Sequence, residues 1–207
     1  MARAIIVGGG AFDPALFPEK RPGDLLIGAD SGCAHLSAMG LTPDIAVGDW
    51  DSLGRVPDCG EAVTLPVAKD ETDSAAAARI ARERGYSDLL FLGALGGRRF
   101  SHSLAAMQLM AGLAADGVSC ELRDPDCAAW SLCNASRDFP AEAAGSLSVF
   151  SMTDESVVTL EGLWYSASHL PLQSAFPLGV SNAFTGDPAR VTAERGVILV
   201  VHEPDAH

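Results

Sequence analysis

Two short acidic clusters are the residues of this sequence best suited to chemistry. The first is Gly48-Asp49-Trp50-Asp51-Ser52, and the second is Lys69-Asp70-Glu71-Thr72-Asp73. Each follows an apolar run typical of a β-strand, at 45–47 and 63–67 respectively. Open α/β sheets bind their ligands at the carboxyl ends of the strands, and clustered carboxylates suit Mg²⁺ together with substrate phosphates. The two clusters therefore predict phosphate chemistry assisted by a divalent cation.

The spacing within each cluster allows a structural reading beside the functional one. Asp49 and Asp51 are two residues apart, so in an extended segment both side chains point the same way and can share one cation. A solvated turn is the alternative, because Gly, Asp and Ser favour turns. The acids at 70, 71 and 73 stand at the start of a predicted helix, where they could merely cap it and complement its dipole. Lys69 beside them resembles a phosphate contact.

Two glycine-containing segments also run from a predicted strand into a predicted helix. In Ala29-Asp30-Ser31-Gly32 the polar residues could cap the helix, or the glycine could let a phosphate approach. In the segment 93–102, glycines with Arg98 and Arg99 favour an anion site, with a flexible loop as the alternative. Neither a G-x-G-x-x-G nor a G-x-x-x-x-G-K-[ST] pattern is present, which disfavours a Rossmann dehydrogenase and a P-loop kinase.

Composition excludes several classes of protein. The formal net charge is −13, with 14 Lys and Arg against 27 Asp and Glu, which disfavours nucleic-acid binding. The five cysteines are odd in number and form no Cys-x-x-Cys pair, so neither a disulfide framework nor a zinc site is expected. Cys33 and Cys59 have no His partner at a recognisable spacing, which disfavours a thiol nucleophile. The N-terminal segment does not resemble a signal peptide, and no run approaches the roughly 18 apolar residues of a membrane span. A soluble, cytoplasmic protein is expected.

The pattern of elements changes once, near residues 124–127. Residues 1–125 alternate strand-like and helix-like segments, which predicts an α/β domain with a mostly parallel sheet. The predicted strands are Arg3–Val7, Leu25–Ala29, Ile45–Val47, Val63–Val67, Leu89–Leu92 and Ser119–Arg123, and the predicted helices are Ser31–Met39, Thr72–Arg84 and Ser101–Ala115.

Residues 126–207 contain short β-rich runs separated by Gly, Pro, Asp and Ser, which predicts an all-β, sandwich-like C-terminal domain. The predicted strands are Ala128–Leu132, Ser146–Ser151, Val157–Glu161, Ser181–Thr185, Ala189–Ala193 and Val197–His202. The last two flank Glu194-Arg195-Gly196, which predicts a hairpin turn.

Five segments, in this order, resemble the thiamine pyrophosphokinase family. They are Ala-Asp-Ser-Gly at 29–32, Pro43-Asp44 with Gly-Asp-Trp-Asp-Ser-Leu at 48–53, Lys-Asp-Glu-Thr-Asp at 69–73, Gly-Gly-Arg…His at 96–102, and Gly-Val-Ser-Asn at 179–182. The resemblance implies an α/β domain, a β-sandwich domain and a homodimer with active sites between subunits. It also implies the reaction of thiamine with ATP to give thiamine diphosphate and AMP.

The resemblance assigns roles to individual residues. Asp49, Asp51 and Asp73 are implied to be catalytic and to hold Mg²⁺ with the ATP phosphates. Residues implied to lie at the nucleotide are Asp30, Asp44, Lys69, Asp70, Thr72, Arg98 and Arg99. Residues implied to lie at thiamine are Ser101, His102, Ser181 and Asn182, with Trp164 or Tyr165 as stacking or packing neighbours.

One segment departs from the family pattern. Where the family has Gly-Gly-Arg-x-Asp-His followed by Leu-Ala-Asn, this sequence has Ser101 in place of the Asp and Ala106 in place of the Asn. The loop is one residue longer, so either Arg98 or Arg99 corresponds to the family's arginine. Two alternatives therefore stay open: a catalytically weakened homologue that binds thiamine or its diphosphate, and a diphosphotransferase for another alcohol such as a pterin or pyrimidine.

Overall fold

The computed structural model describes residues 2–51, 53–66, 70–96 and 100–205. It is α/β, with a large mixed sheet and a separate four-stranded antiparallel sheet. The chain divides into two compact units, Met1–Leu109 with Cys120–Pro125, and Met110–Ser119 with Asp126–His207. No helix among the described residues is long and apolar enough to cross a membrane.

The first unit is built on parallel strands. The strands are β1 (Ala4–Val7), β2 (Leu25–Ala29), β3 (Ile45–Gly48), β4 (Glu61–Thr64), β5 (Asp88–Leu92) and β6 (Ser119–Arg123), in the spatial order β6-β5-β1-β2-β3-β4. β1 pairs in parallel with β2 and β5, and β3 pairs in parallel with β2 and β4. All four residues of β1 are buried, as expected for a parallel sheet covered on both faces.

Three helices connect these strands, and a 3-10 turn at Pro14–Leu16 precedes them. They are α1 (Gly32–Ala38), α2 (Asp73–Glu83) and α3 (Phe100–Ala115). The last turns of α3 belong to the second unit, because Ala111 and Ala114 pack on Val197 there. The predicted helices are confirmed, with ends that shift by at most one residue.

The second unit contains two antiparallel arrays of strands. One has the order β12-β9-β14-β7, formed by β7 (Ala128–Cys133), β9 (Ser146–Ser151), β12 (Gly179–Ala183) and β14 (Val197–Glu203). The other has the order β11-β10-β13-β8, formed by β8 (Ser136–Phe139), β10 (Glu155–Glu161), β11 (Ala167–Gln173) and β13 (Ala189–Arg195). One core cluster takes residues from both arrays, including Trp130, Val158, Val191 and Ile198.

The predicted hairpin at 194–196 is wrong. β13 pairs with β10 and β8, whereas β14 pairs with β7 and β9, so Gly196 carries the chain from one array to the other. Its φ is +77°, and a Cβ there would lie 2.6 Å from the hydroxyl oxygens of Thr153 and Ser156. The close approach and the positive φ both require glycine, and a strand-to-strand glycine alone does not reveal which sheet the chain enters next.

Candidate functional site

Three carboxylates meet at the carboxyl ends of two neighbouring parallel strands. Asp30 follows β2, and Asp49 and Asp51 follow β3, which pairs with β2 through Ala29 and Val47. One carboxylate oxygen of each residue lies within 4.8 Å of the others. The sequence predicted that Asp49 and Asp51 could share one cation, and the family resemblance implied that Asp30 lies at the nucleotide. The structure brings the three carboxylates together. No other group of three His, Cys, Asp or Glu side chains lies this close among the described residues.

The backbone around these acids adopts an uncommon conformation. Asp30 has φ +45° and Trp50 has φ +65°, and such left-handed geometry costs a non-glycine residue about 1–3 kcal/mol. The Asp30 N–H donates to the Val47 carbonyl at 2.7 Å, which ties the two strand ends together. The Trp50 side chain is 7% exposed and packs with Cys33 and Ala46. Its indole N–H donates to the Thr64 hydroxyl at 2.9 Å, so the residue between the two aspartates is anchored inward.

The donor set of this cluster fits a hard divalent cation. Asp30 Oδ1 is buried and has no hydrogen-bond partner among the described residues. A buried polar atom left unpaired costs roughly 1–3 kcal/mol, and three carboxylates at this separation repel one another. A cation bound by oxygen ligands removes both costs, and Mg²⁺ and Ca²⁺ are the cations that prefer carboxylates. The Asp51 N–H donates to Asp49 Oδ1 at 3.2 Å, which orients that carboxylate.

Glycines allow the chain to pass close to this edge. A Cβ on Gly9 would lie 1.9 Å from Ser31 Oγ, and one on Gly32 would lie 1.9 Å from the Val7 carbonyl oxygen. The loop after β1 therefore packs directly on the start of α1, beside Asp30. The sequence indicated that Gly32 could allow a close approach, and the structure shows that the approaching group is the end of β1.

The family resemblance implied that Asp44 lies at the nucleotide with the other acids, and the structure corrects this prediction. It precedes β3, at the amino end of the strand, whereas Asp49 follows the carboxyl end. Five residues of extended chain span roughly 16 Å. Asp44 Oδ2 accepts hydrogen bonds from Lys20 Nζ and from the Leu26 N–H, both at 2.8 Å. These contacts give Asp44 a structural role at the opposite edge of the sheet.

The second acidic cluster lies at the N-terminus of α2. Thr72 is the N-cap, and its hydroxyl accepts the Ala75 N–H at 3.1 Å. Glu71 pairs with Arg79 at 2.9 Å. Asp73 is the first residue of the helix and is not part of the close group of three carboxylates. Asp70 is exposed, and Lys69 lies outside the described residues.

The start of α2 nevertheless faces the same edge of the sheet. A Cβ built on Gly8, directly after β1, would lie 3.6 Å from Ser74 Oγ. Asp73, adjacent to Ser74, therefore stands at the carboxyl ends of the parallel strands. Its position in the first turn also complements the helix dipole, so Asp73 stabilises α2 as well.

The segment that departs from the family pattern is partly described. Arg98 and Arg99 lie outside the described residues. Ser101 and His102 are exposed in the first turn of α3. Ser101, which stands in place of the family's Asp, lies within the helix, because the helix already includes Phe100. Ser103 accepts the Gly96 N–H at 3.1 Å, and Ala106 is buried at 9% exposure.

Ser181 and Asn182 differ sharply in their surroundings. Ser181 is exposed, has φ +58° and donates its backbone N–H to Ser148 Oγ at 3.1 Å. The register of β12 against β9 shifts between Gly179 and Asn182, which marks a bulge, a feature common beside functional sites. Asn182 is 6% exposed, and its carboxamide bonds to the backbone of Tyr165.

Exposed apolar side chains cluster in sequence around β12. Phe176, Leu178 and Val180 are 62%, 52% and 46% exposed, and Trp164 and Tyr165 are 72% and 68% exposed. The sequence analysis named the last two and missed the other three. Their alternation at 176, 178 and 180 was the available indication, because alternate residues of a strand share one face.

A cavity of about 340 Å³ lies in the first unit between α1 and the 53–58 segment, lined by Cys33, Ser37, Thr42, Leu53 and Arg55 among others. Burial, with smaller contributions from Cys59 and Asp30, raises the pKa of the Cys33 thiol to about 11. A thiol protonated at neutral pH is a poor nucleophile.

The fold and the carboxylate cluster together define an α/β protein with a group of three carboxylates that could hold a metal ion. Residues 21–122 match the family model described as thiamin pyrophosphokinase, catalytic domain. The resemblance to the thiamine pyrophosphokinases that the motifs predicted is thereby confirmed. No match was found among curated protein sequences.

Solved structures of similar fold carry the same family name. The thiamin pyrophosphokinase family protein from Enterococcus faecalis is 28% identical, with a TM-score of 0.81 over 99% of this chain and 100% of that one. Thiamine pyrophosphokinase from Bacillus subtilis is 23% identical, with a TM-score of 0.85 over the same shares. The thiamin pyrophosphokinase from Candida albicans is 12% identical, with a TM-score of 0.77 over 98% of this chain and 90% of that one. The last two likenesses establish the fold alone.

Proposed function

We propose that this protein transfers a diphosphate group from ATP to the hydroxyl of thiamine. In this reaction the thiamine oxygen attacks the β-phosphorus of ATP, the bond from the β-phosphorus to the oxygen bridging it to the α-phosphorus breaks, and AMP leaves with that oxygen. The hydroxyl proton passes to a base or to water, and thiamine diphosphate is the second product. Such a transfer depends mainly on positioning and on charge neutralisation.

The observation that carries the proposal is the group of three carboxylates at Asp30, Asp49 and Asp51. These residues fit Mg²⁺, and Asp73 at the start of α2 is placed to complete the site from the neighbouring helix. Bound there, Mg²⁺ would neutralise phosphate charge during transfer. We retain Lys69, Asp70, Thr72, Arg98 and Arg99 as proposed nucleotide contacts and remove Asp44, whose carboxylate holds the opposite edge of the sheet.

We propose that thiamine binds beside the segments that carry Ser181, Asn182, Ser101 and His102. The exposure of Ser181 and His102 supports this assignment, because both side chains are open to a ligand. We further propose residues 1–125 as the catalytic domain that binds ATP and 126–207 as the domain that binds thiamine. The five cysteines are reduced thiols, which is typical of a reducing compartment and supports a cytoplasmic location.

We also propose a homodimer with active sites between subunits. The exposed apolar residues 176, 178 and 180 lie on or next to β12, an edge strand. Exposed edges with apolar side chains mark interaction surfaces. A second copy of this chain is the partner that the family resemblance implies.

A product assay with thiamine, ATP and Mg²⁺ tests the proposed reaction. We expect AMP and thiamine diphosphate by chromatography, and a loss of at least about 100-fold in kcat for Asp49→Asn, since removing one preorganised charged group at a transfer site has effects of this size. Asp187→Asn is the matched control: it makes the same change at an exposed loop residue outside the carboxylate group, and we expect it to retain full activity.

Four outcomes would contradict the proposal in different ways. Release of ADP would exclude diphosphate transfer, and full activity of Asp49→Asn would remove the carboxylates from the mechanism. Thiamine binding by calorimetry without turnover would instead favour the weakened homologue. In that case turnover restored by Ser101→Asp with Ala106→Asn would locate the cause in the first turns of α3. Turnover with a pterin or pyrimidine alcohol but not with thiamine would identify another acceptor.

A further inference from the structure

The side chain of Asn182 is buried and hydrogen-bonded to the backbone of neighbouring residues. Its Oδ1 accepts the N–H groups of Tyr165 and Ala183, both at 2.9 Å, and its Nδ2 donates to the Tyr165 carbonyl at 2.9 Å. The carboxamide therefore pairs with both backbone groups of Tyr165, as a neighbouring strand would. Three of the four hydrogen bonds that an Asn side chain can make are used, and the residue is 6% exposed.

These bonds hold a short turn whose aromatic side chains face solvent. Leu163 is buried at 3% exposure and bridges to Phe184. The Trp164 N–H donates to the Ala183 carbonyl at 2.9 Å, and the Ser166 hydroxyl donates to the Leu163 carbonyl at 2.8 Å. Trp164 and Tyr165 are themselves 72% and 68% exposed. The backbone of residues 163–166 is thus held by hydrogen bonds, while the two aromatic rings are exposed to solvent.

We propose that Asn182 is a positioning residue that acts on thiamine through the Trp164–Tyr165 turn and does not itself contact the substrate. This inference rests on the proposed function. Ser181 beside it remains the contact residue, because its side chain is exposed and its backbone is held in place by Ser148. The two motif residues therefore have different roles. Ser181 faces thiamine, and Asn182 holds the Trp164–Tyr165 turn that forms the rest of the binding surface.

A double-mutant cycle separates indirect action from contact. We expect Asn182→Ala to raise the thiamine KM by up to about 100-fold, since small misplacement of a binding group can cost this much, with the KM for ATP unchanged. In a Trp164→Ala/Tyr165→Ala background, Asn182→Ala is expected to add no further loss, because the groups through which it acts are gone. Losses that multiply in that background would show direct contact and overturn the proposal.

Hydrogen exchange measured by mass spectrometry supplies a readout that does not depend on activity. We expect faster exchange in the segment 162–166 for Asn182→Ala, and less of an increase for Asn182→Asp, which keeps both accepted hydrogen bonds and loses the donated one. Asn182→Asp also serves if the alanine variant fails to fold. Gln108→Ala, which removes an exposed carboxamide from α3, is expected to change neither exchange nor thiamine KM.

The outcomes remain distinguishable from failure of the proposed function. Faster exchange with an unchanged thiamine KM would make Asn182 purely structural and overturn the inference. Absence of thiamine turnover and binding in the unsubstituted protein would overturn the proposed function, and the inference with it.

Discussion

Asp30 combines an uncommon backbone conformation, a buried unpaired oxygen and two acidic neighbours. Each of these features costs stability in the absence of a ligand. Costs of this kind persist at functional sites, where the surrounding structure holds them in place. The stability of this protein should therefore respond to a divalent cation at one residue in particular.

Replacing Asp30 by Asn tests that expectation. Asn tolerates the left-handed conformation and removes one of three negative charges, so we expect stability without divalent cations to rise by roughly 1–2 kcal/mol. The stabilisation by Mg²⁺, which follows from binding to the folded state, should fall. Thermal unfolding in EDTA and in Mg²⁺, with Asp187→Asn as control, measures both effects. A lower melting temperature in EDTA would show that the carboxylate supports the fold.

Asp49 and Asp51 were predicted to follow a strand, and they do follow β3. Asp44 was expected near them and instead precedes the strand. Asp49 and Asp51 were predictable because an apolar run predicts the strand and its end. Asp44 is also an aspartate next to β3, but it precedes the strand. Open α/β sheets bind their ligands at the other end, where the strands finish. Asn182 was recognisable as a motif residue, whereas its bonds to Tyr165 depend on a contact 17 residues away, which spacing does not reveal.

The strands that the sequence predicted least well are the edge strands. The ends of β4 and β12 lie two or three residues from their predicted positions, and β8 and β11 were missed. An edge strand has one pairing partner and more solvent exposure, so its apolar alternation is weak; β4 contains no fully buried residue. Most interior strands, such as β1, β2 and β5, were predicted from runs of apolar residues because both faces are covered.

The amino ends of β1 and β2 are joined by Asp24. Its carboxylate accepts the N–H of Arg3 and that of Arg21, both at 3.1 Å, and pairs with Arg3 Nε at 3.3 Å. Burial raises the pKa of this carboxyl, but the hydrogen bonds and the Arg3 charge outweigh burial and hold the pKa below its ordinary value of 3.8. The contribution of Asp24 is therefore present at neutral pH and is lost as the pH falls through the folded-state pKa.

Asp24→Asn should remove that pH dependence. We expect the variant to be less stable than the unsubstituted protein at pH 7 by about 1–3 kcal/mol, because a carboxamide leaves a buried donor unsatisfied. The two proteins should converge in stability as the pH falls below about 3.8. Urea unfolding across this range measures the difference, and a constant gap between the two curves would contradict the assignment.

At the scale of the whole molecule, charge and apolar surface act in opposite directions. A formal net charge of −13 opposes association of two copies through long-range repulsion. The exposed side chains of Phe176, Leu178 and Val180 favour association, because each buries apolar area when a second copy packs against it. Salt screens the first effect and leaves the second, so a dimer held by this surface should tighten as ionic strength rises.

Val180→Lys tests the surface directly. A lysine there places a charge in the contact. We expect the Kd of the dimer to rise by at least about 10-fold, since burying an unpaired charge costs more than 1.4 kcal/mol. Val56→Lys is the matched control, because Val56 is 51% exposed in the first unit, in the 53–58 segment that lines the cavity beside α1. Light scattering after gel filtration, at low and high salt, measures both variants. A dimer that survives Val180→Lys, or that weakens equally with Val56→Lys, would place the interface elsewhere.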